Sequence, residues 1–140
     1  MLTCGEDRLC KVWDVRRASK GAVATLGGHT GWATCAKYNP FHDQLVASGG
    51  TDCAVNLWRA SSVSSAPLLV DADADEAFAH DGGAESSGDV KIRAVRGEHD
   101  QAVAAVAWSR CDPWLLLSLS VDGRAIVAPV PSAEKYNILL

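Results

Sequence analysis

His29, Ser48 and Asp52 are the residues of this sequence whose types invite chemistry. A serine hydroxyl, an imidazole and a carboxylate within hydrogen-bond reach can act as nucleophile, general base and orienting group. The set is not unique along the chain. His99, Ser118 and Asp122 repeat it at the same intervals, and Thr3, Asp7 and Trp13 form a shorter set near the start. No Gly-rich phosphate loop or further cluster of reactive groups accompanies them. The expectation is therefore a non-enzymatic protein with no catalytic residues, no cofactor and no small-molecule substrate. Metal chemistry is equally unsupported. Cys4, Cys10, Cys35, Cys53 and Cys111 include no C-x-x-C pair, and the four histidines add no zinc-ligand spacing. Free thiols that pack as small hydrophobes in a reducing compartment are the expected state. Arg16-Arg17-Ala18-Ser19-Lys20 is a short basic run without interleaved aromatics, which fits a solvated loop better than a nucleic-acid surface.

The elements that must position these residues come as an internal repeat. The stretch Leu2 to Asp14 matches Ala47 to Arg59 without gaps at an offset of 45 residues, and His29 to Trp58 matches His99 to Ala128 at an offset of 70. An offset of 45 is the length of one four-stranded propeller unit, ~40–45 residues. The longer offset is the same unit with an insertion between Trp58 and Val90. Within each unit the pattern predicts short strands: Trp32 to Tyr38 ended by Asn39-Pro40, Leu45 to Ser48, and Ala54 to Trp58, with Gly49-Gly50-Thr51-Asp52 as a turn. Val103 to Trp108, Trp114 to Ser118 and Ala125 to Val127 repeat them. Ala22 to Leu26 and Val90 to Val95 fit a fourth, outer strand. No amphipathic helix is expected.

The chain has 140 residues, 48% of them hydrophobic, and a formal charge of −4. This composition excludes a wholly disordered chain. No apolar run approaches the ~18–20 residues of a membrane span, and the first residues do not read as a signal peptide. The charge is uneven. Asp71, Asp73, Asp75, Glu76, Asp81, Glu85 and Asp89 fall in residues 60–89, which hold no Lys or Arg. The acidity therefore belongs to the insertion, not to the repeat units.

Gly28-His29, a strand, Asn39-Pro40, a strand, the turn with Asp52, and Trp58 together resemble a WD40 repeat, and Trp13-Asp14 is the dipeptide behind that name. The resemblance implies an all-β fold, a fragment of a WD40 β-propeller holding about two and a half four-stranded blades of a ring of about seven. Residues 1–26 are then the end of one blade. Residues 27–59 and 90–97 make a full blade. Residues 60–89 are an acidic, disordered insert between its third and fourth strands, and 98–140 are the last blade and C-terminal tail. Leu2-Thr3 aligns with Ala47-Ser48, so the chain is expected to open inside a second strand, as a gene-model or protein fragment would. Such a piece would expose one blade face and tend to aggregate. The outer strand of the last blade is left open between Tyr136 to Leu140 and a segment from elsewhere in a longer protein.

The last unit narrows the likeness. Asp112-Pro113-Trp114, Ser118 to Arg124 and the ending Lys135-Tyr136-Asn137-Ile138-Leu139-Leu140 resemble the EARP-interacting protein family, as does the acidic insert after Trp58-Arg59. That resemblance implies a scaffold for subunits of endosomal and Golgi vesicle-tethering complexes, acting in endosomal recycling and dense-core vesicle traffic. It implies a cytoplasmic protein, peripheral at the trans-Golgi network or endosomes, with protein partners, no nucleic acid and no membrane insertion. The alternative is a WD40 adaptor of another complex, of chromatin or ubiquitin-ligase type. The WD40 resemblance also gives Trp58, Ser48, His29 and Asp52 a structural role, as a buried hydrogen-bond chain stapling the blade. His99, Ser118 and Asp122 would form a version without Trp, since Ala128 stands in the Trp position. Trp32 would sit on the face where partners bind, as an interface anchor or as a cover for the neighbouring blade, with Glu6 and Arg8 on the same face. The insert is either a solvated loop or a docking segment phosphorylated at Ser61, Ser62, Ser64, Ser65, Ser86 or Ser87.

Overall fold

A computed structural model describes residues 1–63, 89–95 and 97–139. The bulk of the acidic insert lies outside them. Ten strands form three antiparallel sheets. The first sheet holds β1 (Leu2–Cys4), β2 (Leu9–Val12) and β3 (Ala24–Gly27). The second holds β4 (Ala33–Tyr38), β5 (Leu45–Gly50), β6 (Val55–Ala60) and β7 (Asp89–Val95). The third holds β8 (Val103–Trp108), β9 (Leu115–Ser120) and β10 (Ala125–Pro129). Each sheet is a meander, with sequential strands as neighbours. This all-β architecture is that of WD40 propeller blades.

Burial follows from the stacking of sheets. All six residues of β5 are buried, because the middle sheet is covered on both faces. Val46 packs with Trp58, Cys10 and Leu26 toward the first sheet. Ala47 packs with Val55, Val103, Val106 and Leu116 toward the third. Strand β9 alternates instead. Leu116, Ser118 and Ser120 are buried, while Leu117 and Leu119 stay 40% and 45% exposed. They share their face with Val127, and no sheet among the described residues covers it.

The repeat reaches the backbone. A register shift between Ala33 and Cys35 recurs between Val103 and Ala105, 70 residues on. Arg8, Cys53 and Gly123 occupy one turn position in the three units, and all have positive φ, +67°, +59° and +81°. Glycine takes that conformation freely, while Arg8 and Cys53 hold it at some cost.

One expectation is corrected. Ser132–Leu139 forms a helix, α1, where no helix was expected and where an outer strand was left open. Pro129 and Pro131 explain the change. A proline cannot donate to a ladder, so the strand ends at Pro129, whereas proline suits the entry to a helix. The Pro131 carbonyl accepts the first helical N–H groups, from Glu134 and Lys135. Only Ile138 joins the cluster of Leu45, Leu57 and Val130, while Tyr136 and Leu139 are exposed, so the helix carries no broad apolar stripe to read. The Arg59–Glu134 ion pair at 3.1 Å adds a tether to β6.

Candidate interaction surface and buried hydrogen-bond chains

The middle blade brings four polar residues together from the loop before β4, from β5, from the turn after it and from β6. Trp58 Nε1 donates to Ser48 Oγ at 3.0 Å. Ser48 Oγ lies 2.8 Å from His29 Nε2, and His29 Nδ1 lies 3.0 Å from Asp52 Oδ1. Since the indole can only donate, the consistent assignment has the Ser48 hydroxyl donating to Nε2 and the Nδ1–H donating to the carboxylate. Ser48 is fully buried and His29 is 5% exposed. Both imidazole nitrogens and the serine oxygen are thus committed inside the blade, a geometry suited to holding strands together rather than to presenting a nucleophile. Asp52 also accepts from the backbone N–H of Thr30 (2.9 Å) and of Ala54 (3.3 Å). Burial pushes the Asp52 carboxyl up, but the Thr30 N–H, the His29 ring and the Ala54 N–H outweigh it and hold it below the usual range.

The other two units carry looser sets. His99 Nε2 lies 2.8 Å from Ser118 Oγ. His99 Nδ1 is 3.7 Å from Asp122 and has no hydrogen-bond partner among the described residues. Asp122 instead takes the backbone N–H of Asp100 (2.9 Å) and Arg124 (2.8 Å). In the first unit Trp13 Nε1 donates to Thr3 Oγ1 at 2.7 Å. Asp7 pairs with Lys11 and accepts from the Leu9 N–H, and these lower its carboxyl. No hydrogen bond joins it to Thr3 among the described residues.

The three surface candidates are exposed. Trp32 is 55% exposed, and its backbone is tied on two sides. Its N–H donates to Thr51 Oγ1 (2.9 Å), and its carbonyl accepts from the Thr51 N–H (2.8 Å). The next N–H, of Ala33, donates to the Gly5 carbonyl at 3.1 Å. Gly5 begins the turn that carries Glu6 and Arg8, both exposed. The indole therefore stands open at the seam of the first two sheets.

Cys4, Cys10 and Cys35 are packing groups, while Cys111 is exposed. Cys10 is fully buried, and burial pushes it up to about 12, although the Ser48 hydroxyl beside it opposes this. Burial also raises Cys4 and Cys35. Among the described residues no cluster of His, Cys, Asp and Glu could hold a metal ion. Likewise, no helix among them is long and apolar enough to cross a membrane.

Several polar ties between sheets have no signal in the sequence reading. Asn39 Nδ2 donates to the Pro113 carbonyl at 2.6 Å, and Trp108 Nε1 donates to the Lys37 carbonyl at 3.2 Å. Thr34 Oγ1 reaches the carbonyls of Gly49 and Val103. Trp114 is stacked on His42, with ring centroids 4.6 Å apart, and Lys135 of α1 lies 5.7 Å from its ring. Asn39-Pro40 marked a strand end, and only the folded chain shows that it meets Pro113 of the third unit.

Comparison with known proteins agrees with this geometry. The family model described as "WD domain, G-beta repeat" matches residues 21–59, the outer strand of the first sheet and most of the middle blade. The proteins named "EARP and GARP complex-interacting protein 1" of Rattus norvegicus and Homo sapiens are each 40% identical to this chain over 100% of its length. "EARP-interacting protein 1" of Caenorhabditis elegans is 39% identical over 98% of it. The chain spans 37% of the length of each of these relatives. The chain carries a match to the WD40 repeat at residues 21–59 and is similar along its length to proteins named as EARP-interacting.

Proposed function

We propose that this chain is a non-enzymatic interaction scaffold for subunits of the endosomal and Golgi tethering complexes named in its relatives. It would act in endosomal recycling and dense-core vesicle traffic, from the cytoplasmic side of the trans-Golgi network or endosomes. The relatives' names support the partner class. The observation that carries the surface is Trp32. Its large aromatic side chain is open to solvent while hydrogen bonds to Thr51 hold its backbone. An anchor held in place before binding loses little freedom on docking. Glu6 and Arg8 flank it as polar rim groups. The hydrogen-bond chain of His29, Ser48, Asp52 and Trp58 and the bonded pairs His99–Ser118 and Thr3–Trp13 act as blade staples.

Affinity purification of the tagged protein from cells, read by mass spectrometry, tests this. Tethering-complex subunits should be recovered with the parent chain and depleted with Trp32→Ala, while the melting temperature stays unchanged. Recovery of ubiquitin-ligase or histone-modifying subunits instead would overturn the partner assignment. Undiminished recovery with Trp32→Ala would remove Trp32 from the interface.

A further inference from the structure

The basic run Arg16-Arg17-Ala18-Ser19-Lys20 has no part in the scaffold reading, and its placement gives it another use. It forms most of a short 3-10 segment, Val15–Lys20, between β2 and β3. None of its residues is buried. The Arg16 side chain is 90% exposed, and Arg17, Ser19 and Lys20 are exposed as well. The Ser19 hydroxyl has no hydrogen-bond partner among the described residues.

We propose that Ser19 is a phosphorylation site for a basophilic serine/threonine protein kinase. Such kinases select guanidinium groups a few residues before the acceptor, which meet acidic groups of the kinase cleft. Arg16 and Arg17 stand three and two residues before Ser19. A kinase also needs the acceptor segment to open into an extended form. Here the segment is held by local bonds only. The Asp14 side chain accepts from the Arg16 N–H (2.9 Å), the Asp14 carbonyl from the Arg17 N–H (3.0 Å), and the Ala18 carbonyl from the Gly21 N–H (3.3 Å). Arg17 already departs from helical angles, at φ −131° and ψ 29°. Opening lifts no apolar side chain from the core, so this is a segment of low local stability.

A second serine of similar sequence sharpens the assignment. Ser62 also follows an arginine by three positions, Arg59. That guanidinium lies at the end of β6, is 24% exposed and is paired with Glu134. A kinase could engage it only by breaking that pair and drawing the strand end out of its sheet. The same spacing is therefore accessible at Ser19 and locked at Ser62.

The reaction uses the nucleoside triphosphate of the kinase. The Ser19 oxygen bonds to the γ-phosphorus of ATP, and the bond from that phosphorus to the β,γ-bridging oxygen breaks. The hydroxyl proton passes to the kinase's carboxylate base, and ADP leaves. The product carries about two negative charges among Arg16, Arg17 and Lys20. It would offset most of the local positive charge and compete with Asp14 for Arg16. The Arg16–Asp14 pair lines a cleft with Trp13, Tyr38 and Val63 at the seam of the first two sheets. Phosphorylation would thereby reset the charge of that cleft.

The test incubates the folded 140-residue chain with MgATP and the catalytic subunit of cAMP-dependent protein kinase, an arginine-directed enzyme, and maps the sites by mass spectrometry. One phosphoryl group should appear at Ser19, and Ser19→Ala should remove it. Arg16→Gln with Arg17→Gln should slow it on the order of tenfold or more, the effect of removing charge-steered docking groups. Circular dichroism of each variant should match the parent, since all three residues are exposed. No phosphoryl group at Ser19, labelling only after denaturation in urea, or a rate unmoved by the arginine changes would each overturn the proposal.

Discussion

Asp52→Ala is the sharpest test of the middle blade's hydrogen-bond chain. The Asp52 side chain is 6% exposed, and its loss removes the acceptor for donors on three residues, His29, Thr30 and Ala54. Thr30 is exposed, so water replaces that bond at little cost. The His29 Nδ1–H and the Ala54 N–H belong to buried residues and are left without a partner. An unsatisfied buried donor costs about 1–3 kcal/mol, so the two together cost about 2–6 kcal/mol. For a chain of this size that corresponds to a fall in melting temperature on the order of 7–20 °C. Urea and thermal unfolding followed by tryptophan fluorescence would measure it. Asp122→Ala is the internal comparison. Asp122 stands 3.7 Å from His99 and makes no hydrogen bond to the ring, so its removal orphans no imidazole and should cost less. A melting temperature for Asp52→Ala equal to the parent's, or no lower than that of Asp122→Ala, would refute the reasoning.

Three further outcomes follow from the same geometry. Asp52 is held below its usual range when folded, so its contribution is complete above the unfolded value of about 4 and is lost as pH falls through the lower folded value. Stability should decline on acidification below about pH 4, and Asp52→Asn should flatten that limb in a pH series of urea midpoints. Gly49→Ala would place a Cβ 2.5 Å from Val103 Cγ1 and 2.9 Å from Cys35 Sγ. The second and third sheets must then part, which should cost about 1–3 kcal/mol in the same unfolding assay; a neutral result would mean that this seam yields easily. Cys111 is exposed and Cys10 fully buried. A maleimide reagent should therefore modify Cys111 in seconds to minutes and Cys10 only on unfolding, as mass spectrometry of timed samples would show.

The sequence carried the strand order because the unit is local. Short apolar runs, Asn39-Pro40 and the Gly-Asp turns recur at 45 and 70 residues, and each feature acts within a few residues of chain. The members of the hydrogen-bond chain were legible for the same reason, since their spacing repeats in register. Their quality was not. His29 meets Asp52 at 3.0 Å while His99 stands 3.7 Å from Asp122. Residue types that match in register still differ by the few tenths of an ångström that make or lose a hydrogen bond. The helix at Ser132–Leu139 escaped reading because one residue, Ile138, anchors it in the apolar cluster and one ion pair, Arg59–Glu134, spans 75 residues of sequence.

Sequence alone thus determined the repeat, its strands and turns, the residue types of the polar chains and the concentration of acid in one insertion. Those are properties of neighbouring residues. Tertiary structure decided which face each strand buries, that β5 is enclosed on both sides while β9 leaves Leu117 and Leu119 open, and that Trp32 stands exposed on a fixed backbone. It also separated the exposed arginines before Ser19 from the partly buried arginine before Ser62, which is paired across the fold with Glu134. Burial and pairing are set by segments far apart in the chain, and only stacking of the sheets brings those segments into contact.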